Sequence, residues 1–134
     1  MALVACAGPP SLDGFETTTI EVGDRTLTVA VAETADQRSQ GLRGVEELPE
    51  GLDGMLFVFE QPRTATFGMR DTLIPLDIWW FGADGAMLGS TEMTPCAAEP
   101  CTAYGSPGEV AHALETPAGE VEFALGESLN VENR

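Results

Sequence analysis

Three acidic residues border hydrophobic segments of the chain, and their carboxylates are the groups best placed to do chemistry: Asp71, Asp77 and Glu115. Two carboxylates about 5 to 9 Å apart in a cleft could act as a general acid and base, as in glycoside hydrolysis. The alternative is structural, with Asp77 accepting hydrogen bonds from the backbone N–H groups of a turn. Arg70 or Arg63 would then neutralise Asp71 or Glu115. We favour the structural role, because carboxylates without a motif are common in an acidic protein.

Aromatic residues indicate a binding surface. Trp79 and Trp80 are consecutive in a predicted strand, so their indoles should point to opposite faces, one into the core and the other to the surface or a pocket wall. An exposed indole beside Tyr104 could stack on a sugar or an aromatic ligand. We therefore predict a surface that binds a ligand or partner, formed by Phe67, Met69, Arg70, Asp71, Trp80 and Tyr104.

The sequence contains few residues suited to metal or cofactor chemistry. His112 is the only histidine, so it could join only a mixed-ligand site, for example with Glu115 and an aspartate. Ser90 and Ser106 lack a Gly-x-Ser-x-Gly setting, and the chain has no glycine-rich phosphate loop. We predict no cofactor and no specific metal site, and weak divalent-cation binding by the acidic surface stays open as an alternative.

Cys96 and Cys101 bracket the four residues Ala-Ala-Glu-Pro. A disulfide between them would close a small ring and stabilise the fold by about 2 kcal/mol in the chain-entropy model. The alternatives are free thiols or zinc, but no paired Cys-x-x-Cys or second histidine is available for zinc. We predict the disulfide, which favours an extracytoplasmic location because disulfides persist in oxidising compartments.

The N-terminal segment also favours that location. Leu3-Val4-Ala5-Cys6 resembles the end of a bacterial lipoprotein signal, where the cysteine becomes the lipidated first residue. The small, Pro/Gly-rich residues that follow it are typical of a tether. We predict a tail over residues 1–16, lipidation of Cys6 and attachment to the outer face of the bacterial cell membrane, with a chance match as the alternative.

The charge of the chain excludes some partners. The 134 residues carry 22 acids, six arginines and no lysine, which gives a formal net charge of −16. Such a field repels nucleic acid and anionic lipid headgroups. We therefore predict no nucleic-acid partner, contact with a membrane only through Cys6, and a soluble monomer whose partner is a small ligand or another protein.

The elements that must position these residues are mostly short strands. Period-two alternation, Gly/Pro turn clusters and one Thr34–Gln37 capping box predict about seven strands and two short helices. The strands are expected near 17–22, 25–33, 54–59, 64–69, 77–81, 86–93, 110–116 and 129–131, and the helices near 35–42 and 118–125. Strands at this spacing predict a mainly β fold, an antiparallel barrel or rolled sheet in one domain over residues 17–134.

Several blocks of sequence resemble one known family. They are Gly41-Leu42-Arg43, Gly54 to Phe59, Phe67 to Thr72, Pro75-Leu76-Asp77, Tyr104 with Ser106, and Leu114-Glu115 followed by Ala118-Gly119. In this order they resemble the family known as "domain of unknown function 192" over roughly residues 17 to 131. The chain differs from the family pattern at Arg43, Gly68, Asp71 and Glu127, where the pattern has Met, Trp, Asn and Asp. The resemblance implies a compact, largely β domain, often exported, with no assigned activity.

Together these observations predict an exported small domain that binds a ligand or partner without catalysis. The alternatives are a hydrolase that uses Asp71, Asp77 or Glu115, and a protein that binds divalent cations.

Overall fold

The computed structural model describes residues 12–132, and its main element is a seven-stranded sheet. The elements in chain order are β1 (Glu16–Val22), β2 (Arg25–Ala32), α1 (Ala35–Gln40), β3 (Gly54–Arg63), β4 (Thr66–Phe67), β5 (Leu76–Phe81), β6 (Met87–Met93), β7 (Tyr104–Gly105), β8 (Val110–Pro117) and β9 (Leu129–Val131). The order in the large sheet is β6-β5-β8-β3-β2-β1-β9, and β4 pairs with β7 in a second, two-stranded sheet. The mainly β prediction is confirmed.

The large sheet is mostly antiparallel and curls into a half-barrel. Only β2 and β3 pair in parallel among the described strands. The starts of its two edge strands, β6 and β9, are joined by backbone hydrogen bonds: the Met87 N–H donates to the Glu127 carbonyl over 2.9 Å, and the Leu129 N–H donates to the Gly85 carbonyl over 2.8 Å. These bonds pair backbone groups at one end of each edge.

Each face of the sheet is covered by a separate hydrophobic cluster. One cluster contains Trp79 with Leu56, Leu114 and the buried Phe123. The Trp79 indole packs edge-on against the Phe123 ring at 4.9 Å, and its N–H donates to the Thr116 hydroxyl over 3.1 Å.

The other cluster contains Trp80 with fourteen further buried residues, and α1 and the long loops lie over this face. Trp79 is 5% exposed and Trp80 is 1% exposed. The prediction that one indole reaches the surface or a pocket wall is therefore wrong. Both rings are buried because the sheet is covered on both sides.

The first predicted helix is confirmed, with its capping box. The Thr34 hydroxyl accepts a hydrogen bond from the Gln37 N–H over 3.0 Å, and the Gln37 side chain accepts one from the Thr34 N–H over 3.2 Å. The helix ends at Gly41, whose φ of 49° lies in the left-handed region that glycine tolerates. The cap fixes where the chain leaves β2 and crosses the sheet face.

The second predicted helix, over 118–125, is wrong. Gly119 has a φ of 83°, which is outside the helical region, and its N–H donates to the Asp77 carboxylate over 2.9 Å. The Ala124 N–H, which a helix would pair with the Glu120 carbonyl, donates to the Glu127 carboxylate over 3.0 Å. A helix of eight residues is too short to form against these contacts.

The predicted tether and the Cys6 lipidation site lie outside the described residues, so both remain predictions. Within residues 12–132 no helix is long and apolar enough to cross a membrane.

Candidate functional site

A cleft of about 720 Å³ lies between the sheet face that carries Trp80 and the elements that cover it. We call it the α1 cleft. Its walls come from α1 and the residues after it, the end of β3, the segment around β4, and the disulfide loop. The lining residues are Ala35, Arg38–Arg43, Phe57, Phe59, Arg63–Gly68, Arg70, Thr72, Cys101–Ala103 and Glu115.

Three phenylalanine rings form the apolar part of the α1 cleft. Phe67 is half-buried, and its ring meets the rings of Phe57 at 4.9 Å and Phe59 at 6.4 Å, both edge to face. Phe67 is held there by β4, which pairs with β7 through the Phe67–Tyr104 register. The cleft therefore offers aromatic surface on one side, as small-molecule sites commonly do.

Two arginines flank the Phe59 ring. The Arg38 guanidinium lies 5.5 Å from the ring centroid and the Arg63 guanidinium lies 4.5 Å from it, both within cation–π range. Arg38 also donates to the carbonyls of Glu33 over 2.7 Å and Val58 over 2.9 Å. Arg38 is thus a fixed part of the wall, while the Arg63 guanidinium makes no hydrogen bond or ion pair within residues 12–132.

Two further arginines line the cleft. Arg43 is exposed, and its guanidinium has no hydrogen-bond or ion-pair partner in the described part of the chain. Arg70 is already paired, at 3.0 Å with Glu99 and at 4.0 Å with Asp71. Because both pairs are exposed, they contribute little stability and hold Arg70 only loosely.

Glu115 lies buried in the lining of the cleft. It is on β8 opposite Met55 of β3 and Ile78 of β5, and it is only 4% exposed. Other described residues form no hydrogen bond or ion pair with its carboxyl. Because no fully buried side-chain oxygen of the described chain lacks a partner, the carboxyl oxygens reach the space of the cleft. Burial away from water raises the pKa of Glu115 to about 8, so the group is a neutral carboxylic acid at pH 7.

The other two predicted acids do not join Glu115. The register pairs Asp77 with Thr116 and Ile78 with Glu115, so Asp77 and Glu115 project to opposite faces of the sheet. Asp77 accepts the Gly119 N–H, which confirms its predicted role in holding a turn. Asp71 is exposed beside Arg70 and does not line the cleft.

The predicted binding residues occupy different positions. Phe67 and Arg70 line the α1 cleft, whereas Met69 and Trp80 are each 1% exposed and pack beneath it. Tyr104 is half-buried, and its hydroxyl accepts the Thr94 N–H over 3.3 Å. The main residues that the sequence analysis did not assign to the binding surface are Arg38, Arg43 and Arg63. The one signal that could have found them is the scarcity of cations in the chain. Of the predicted arginine–acid pairs, Arg70–Asp71 is present at 4.0 Å, whereas Arg63 forms no ion pair within residues 12–132.

The predicted disulfide is present and closes one wall. Cys96 and Cys101 are joined with an S–S distance of 2.02 Å, and Cys101 lines the α1 cleft. His112 lies half-buried elsewhere, beside a smaller cavity of about 470 Å³ that Asp84 and Asn130 also line, and burial lowers its pKa. Within residues 12–132 no three His, Cys, Asp or Glu side chains are grouped closely enough to hold a metal ion.

Comparisons with known proteins give a family and a fold. The family model DUF192, described as "Uncharacterized ACR, COG1430", matches residues 17–130. A crystal structure from Sinorhizobium meliloti 1021, described as a candidate transcription regulator, is similar with 28% identity and a TM-score of 0.78 and covers 92% of this chain and 98% of its own. A protein of unknown function from Novosphingobium aromaticivorans DSM 12444 is similar with 24% identity and a TM-score of 0.76. The match covers 97% of this chain and 98% of the Novosphingobium chain. No curated protein matches the sequence significantly.

Proposed function

Because the chain belongs to the DUF192 family, whose description names no activity, we propose from its geometry that it is a non-catalytic domain that binds a small ligand in the α1 cleft. The observation that carries this proposal is the Glu115 carboxyl, which lines the cleft and forms no hydrogen bond or ion pair with the other described residues. Since no fully buried side-chain oxygen of the described chain lacks a partner, the carboxyl oxygens of Glu115 reach the space of the cleft. An acid with a strongly raised pKa in a cleft is a candidate binding group. A ligand acceptor atom beside Glu115 would complete its hydrogen bonding.

The shape of the cleft supports a small molecule. Its volume of about 720 Å³ is within the usual range for small-molecule sites, roughly 300–1,000 Å³. Aromatic rings lie together with a few polar groups, which is the composition that such sites use for affinity and orientation.

Hydrolysis is less well supported than binding. A glycosidase-type mechanism needs two carboxyl groups in one site, flanking the scissile bond. Asp77 projects to the face opposite Glu115, and Asp71 is exposed next to Arg70. Glu115 alone could donate a proton, but none of the other acidic side chains lines the cleft to act with it.

We do not extend the description of the Sinorhizobium protein to this chain. A DNA-binding regulator needs a cationic surface to displace the counterions of the phosphate backbone. A formal charge of −16 opposes that contact, so we propose that nucleic acid is not the partner.

We further propose that the protein is exported and anchored through Cys6. The Cys96–Cys101 disulfide supports an oxidising compartment, since such bonds are rare in the cytosol. When expressed from its own gene in its own cells, the full chain should enter the detergent phase of a Triton X-114 separation, and Cys6→Ser should move it to the aqueous phase. Recovery of both forms with the cytosolic proteins would refute the anchor.

The binding proposal is tested by filling the cleft. A Cβ built at Gly68 has no atom closer than the Thr102 carbonyl at 4.0 Å, so Gly68→Trp places an indole in the lining without a backbone clash. The probe is N-phenyl-1-naphthylamine, a neutral aromatic dye whose fluorescence rises in apolar sites. Gly68→Trp should weaken its binding at least about tenfold.

Gly105→Trp is the matched control, because it adds the same ring on β7 at a position that does not line the cleft and has nothing within 4 Å of a built Cβ. It should bind the dye like the wild type. Equal dye binding by the wild type and Gly68→Trp would show that the α1 cleft is not the site.

A further inference from the structure

We infer that the ligand of the α1 cleft is a small organic anion with an apolar body, whose charged group lies against Arg43 and Arg63. This inference rests on the proposed binding function and adds the chemical class of the ligand. Two observations support this inference: the distribution of charge around the cleft, and the cleft arginines whose guanidinium groups have no partner in the described chain.

The distribution of charge is strongly uneven. The chain has six cations and 22 acids, yet four arginines and one acid line the α1 cleft. That acid, Glu115, is buried and neutral at pH 7. The cleft is therefore a cationic site on an acidic protein, and it is where an anion meets attraction instead of repulsion.

The four arginines differ in what they can still bind. Arg38 uses its guanidinium on two backbone carbonyls, and Arg70 is paired with Glu99. Arg43 and Arg63 have no hydrogen-bond or ion-pair partner in the described chain, so their N–H donors are free for a ligand. A guanidinium presents a planar set of donors that matches the oxygens of a carboxylate, sulfonate or phosphate.

Arg63 is also held in position for this role. Its guanidinium lies 4.5 Å from the centroid of the Phe59 ring, which is itself 8% exposed. Stacking of this kind restricts the side chain before the ligand arrives, so less conformational entropy is lost on binding. The charged head of the ligand would then lie next to an aromatic surface.

The apolar body of the ligand follows from the remainder of the lining. The rings of Phe57, Phe59 and Phe67 meet edge to face and provide apolar surface in the cleft. The neutral Glu115 would donate its proton to a neutral oxygen or nitrogen acceptor of the ligand. A cationic ligand is disfavoured, because four guanidinium groups would repel it and Glu115 would have to ionise in a buried position.

The experiment compares two dyes that share one aromatic body. N-phenyl-1-naphthylamine is neutral, and 8-anilinonaphthalene-1-sulfonate carries a sulfonate on the same ring system. The affinity of each is measured by fluorescence titration for the wild type and for Arg43→Gln/Arg63→Gln. The double substitution should weaken binding of the sulfonate dye about tenfold, equivalent to 1.4 kcal/mol, and change binding of the neutral dye less than twofold.

Two variants serve as controls. Arg25→Gln removes the same charge from a residue at the start of β2 that does not line the cleft, and it should leave both affinities within twofold. Arg43→Lys/Arg63→Lys keeps the charge but loses the planar donors, and it should retain part of the preference for the sulfonate dye.

The outcomes separate the two proposals. If Gly68→Trp blocks both dyes but the double substitution weakens both equally, the cleft binds ligands and the inference of an anion is wrong. An equal loss of sulfonate binding in Arg25→Gln would also overturn the inference, because net charge alone would then explain it. If neither dye binds the wild type, or Gly68→Trp weakens neither, the binding function itself fails.

Discussion

Glu115 is an acid in an almost fully buried position. The residue is 4% exposed, and the other described residues form no hydrogen bond or ion pair with its carboxyl. An ionised carboxylate in this position would carry a large desolvation cost, so the folded protein keeps the proton. The residue therefore makes stability depend on pH as well as providing a donor in the cleft.

The pH dependence has a definite sign. The pKa of Glu115 rises from 4.5 to about 8 on folding, so the folded state holds this proton more tightly than the unfolded state. The stabilisation is fully present below the unfolded pKa and is lost as the pH rises through the folded pKa. Between about pH 5 and pH 8 the free energy of unfolding should fall by about 3 kcal/mol from this group alone.

Glu115→Gln should remove this dependence, because an amide stays neutral throughout. The measurement is urea unfolding at several pH values between these limits, with the difference between variant and wild type plotted against pH. That difference should favour the variant increasingly as the pH rises. Glu120→Gln, at an exposed acid in the turn after β8, is the control, and its difference from the wild type should not change with pH. If Glu115→Gln also gave a difference that does not change with pH, Glu115 would be ionised in the folded protein and the prediction would be wrong.

Part of the candidate site could be read from the sequence. The sequence indicates Glu115 as a candidate because it borders a hydrophobic strand, where burial is expected. The guanidinium groups around Phe59 could not be found in this way. Arg38 and Arg63 come from elements 25 positions apart in the chain, and only the crossing of α1 over the sheet brings them to one ring.

At the scale of elements, the pairing of β3 with β8 positions Glu115 in the cleft. The strands run antiparallel from Met55–Glu115 to Val58–His112, and the register then shifts before Arg63 pairs with Val110. A shift of this kind bends a strand and redirects the side chains beyond it. Arg63 thus lies past the irregularity, at the end of β3 that lines the cleft.

Gly54 allows β3 and β8 to approach closely. A Cβ built there would overlap the Glu115 carbonyl oxygen, which belongs to the backbone and has little room to move. Gly54→Ala should therefore destabilise the protein by about 2 kcal/mol, measured by thermal or urea unfolding.

Gly105→Ala is the control for this substitution, because nothing lies within 4 Å of a Cβ built at Gly105. Its effect should stay within about 0.5 kcal/mol. Equal stability of the two alanine variants would contradict the close approach of the strands.

Sequence patterns predicted elements well where local signals and tertiary contacts agree. The capping box at Thr34 is local, and α1 begins where it predicts. The 118–125 segment has apolar residues at helical spacing, but Gly119 has a φ of 83°, and the Asp77 carboxylate, 42 residues away, accepts its N–H. This contact favours a turn at Gly119 and cannot be seen in the segment itself, so the helix prediction failed there.

At the scale of the whole molecule, the charges are separated by sign. Apart from Glu115, all the acids lie outside the cleft lining, whereas most arginines line it. The loop after α1 is an example of the acidic surface outside the cleft, because Glu46, Glu47 and Glu50 are all exposed within five positions. Like charges at this density repel one another and favour expansion of the chain.

Added salt should therefore stabilise the fold. Raising sodium chloride from about 20 mM to about 500 mM shortens the screening length from roughly 20 Å to roughly 4 Å, so repulsion among exposed acids falls. We expect the melting temperature to rise by roughly 3–5 °C, equivalent to about 1 kcal/mol. Glu46→Gln/Glu47→Gln/Glu50→Gln lowers the acidic charge by three without touching the cleft, so its melting temperature should start higher and rise less. Because screening saturates once the screening length is short, most of the change should occur in the lower half of the salt range. A melting temperature that falls with salt, or rises equally in the variant, would mean that repulsion among the acids does not limit the stability of this fold.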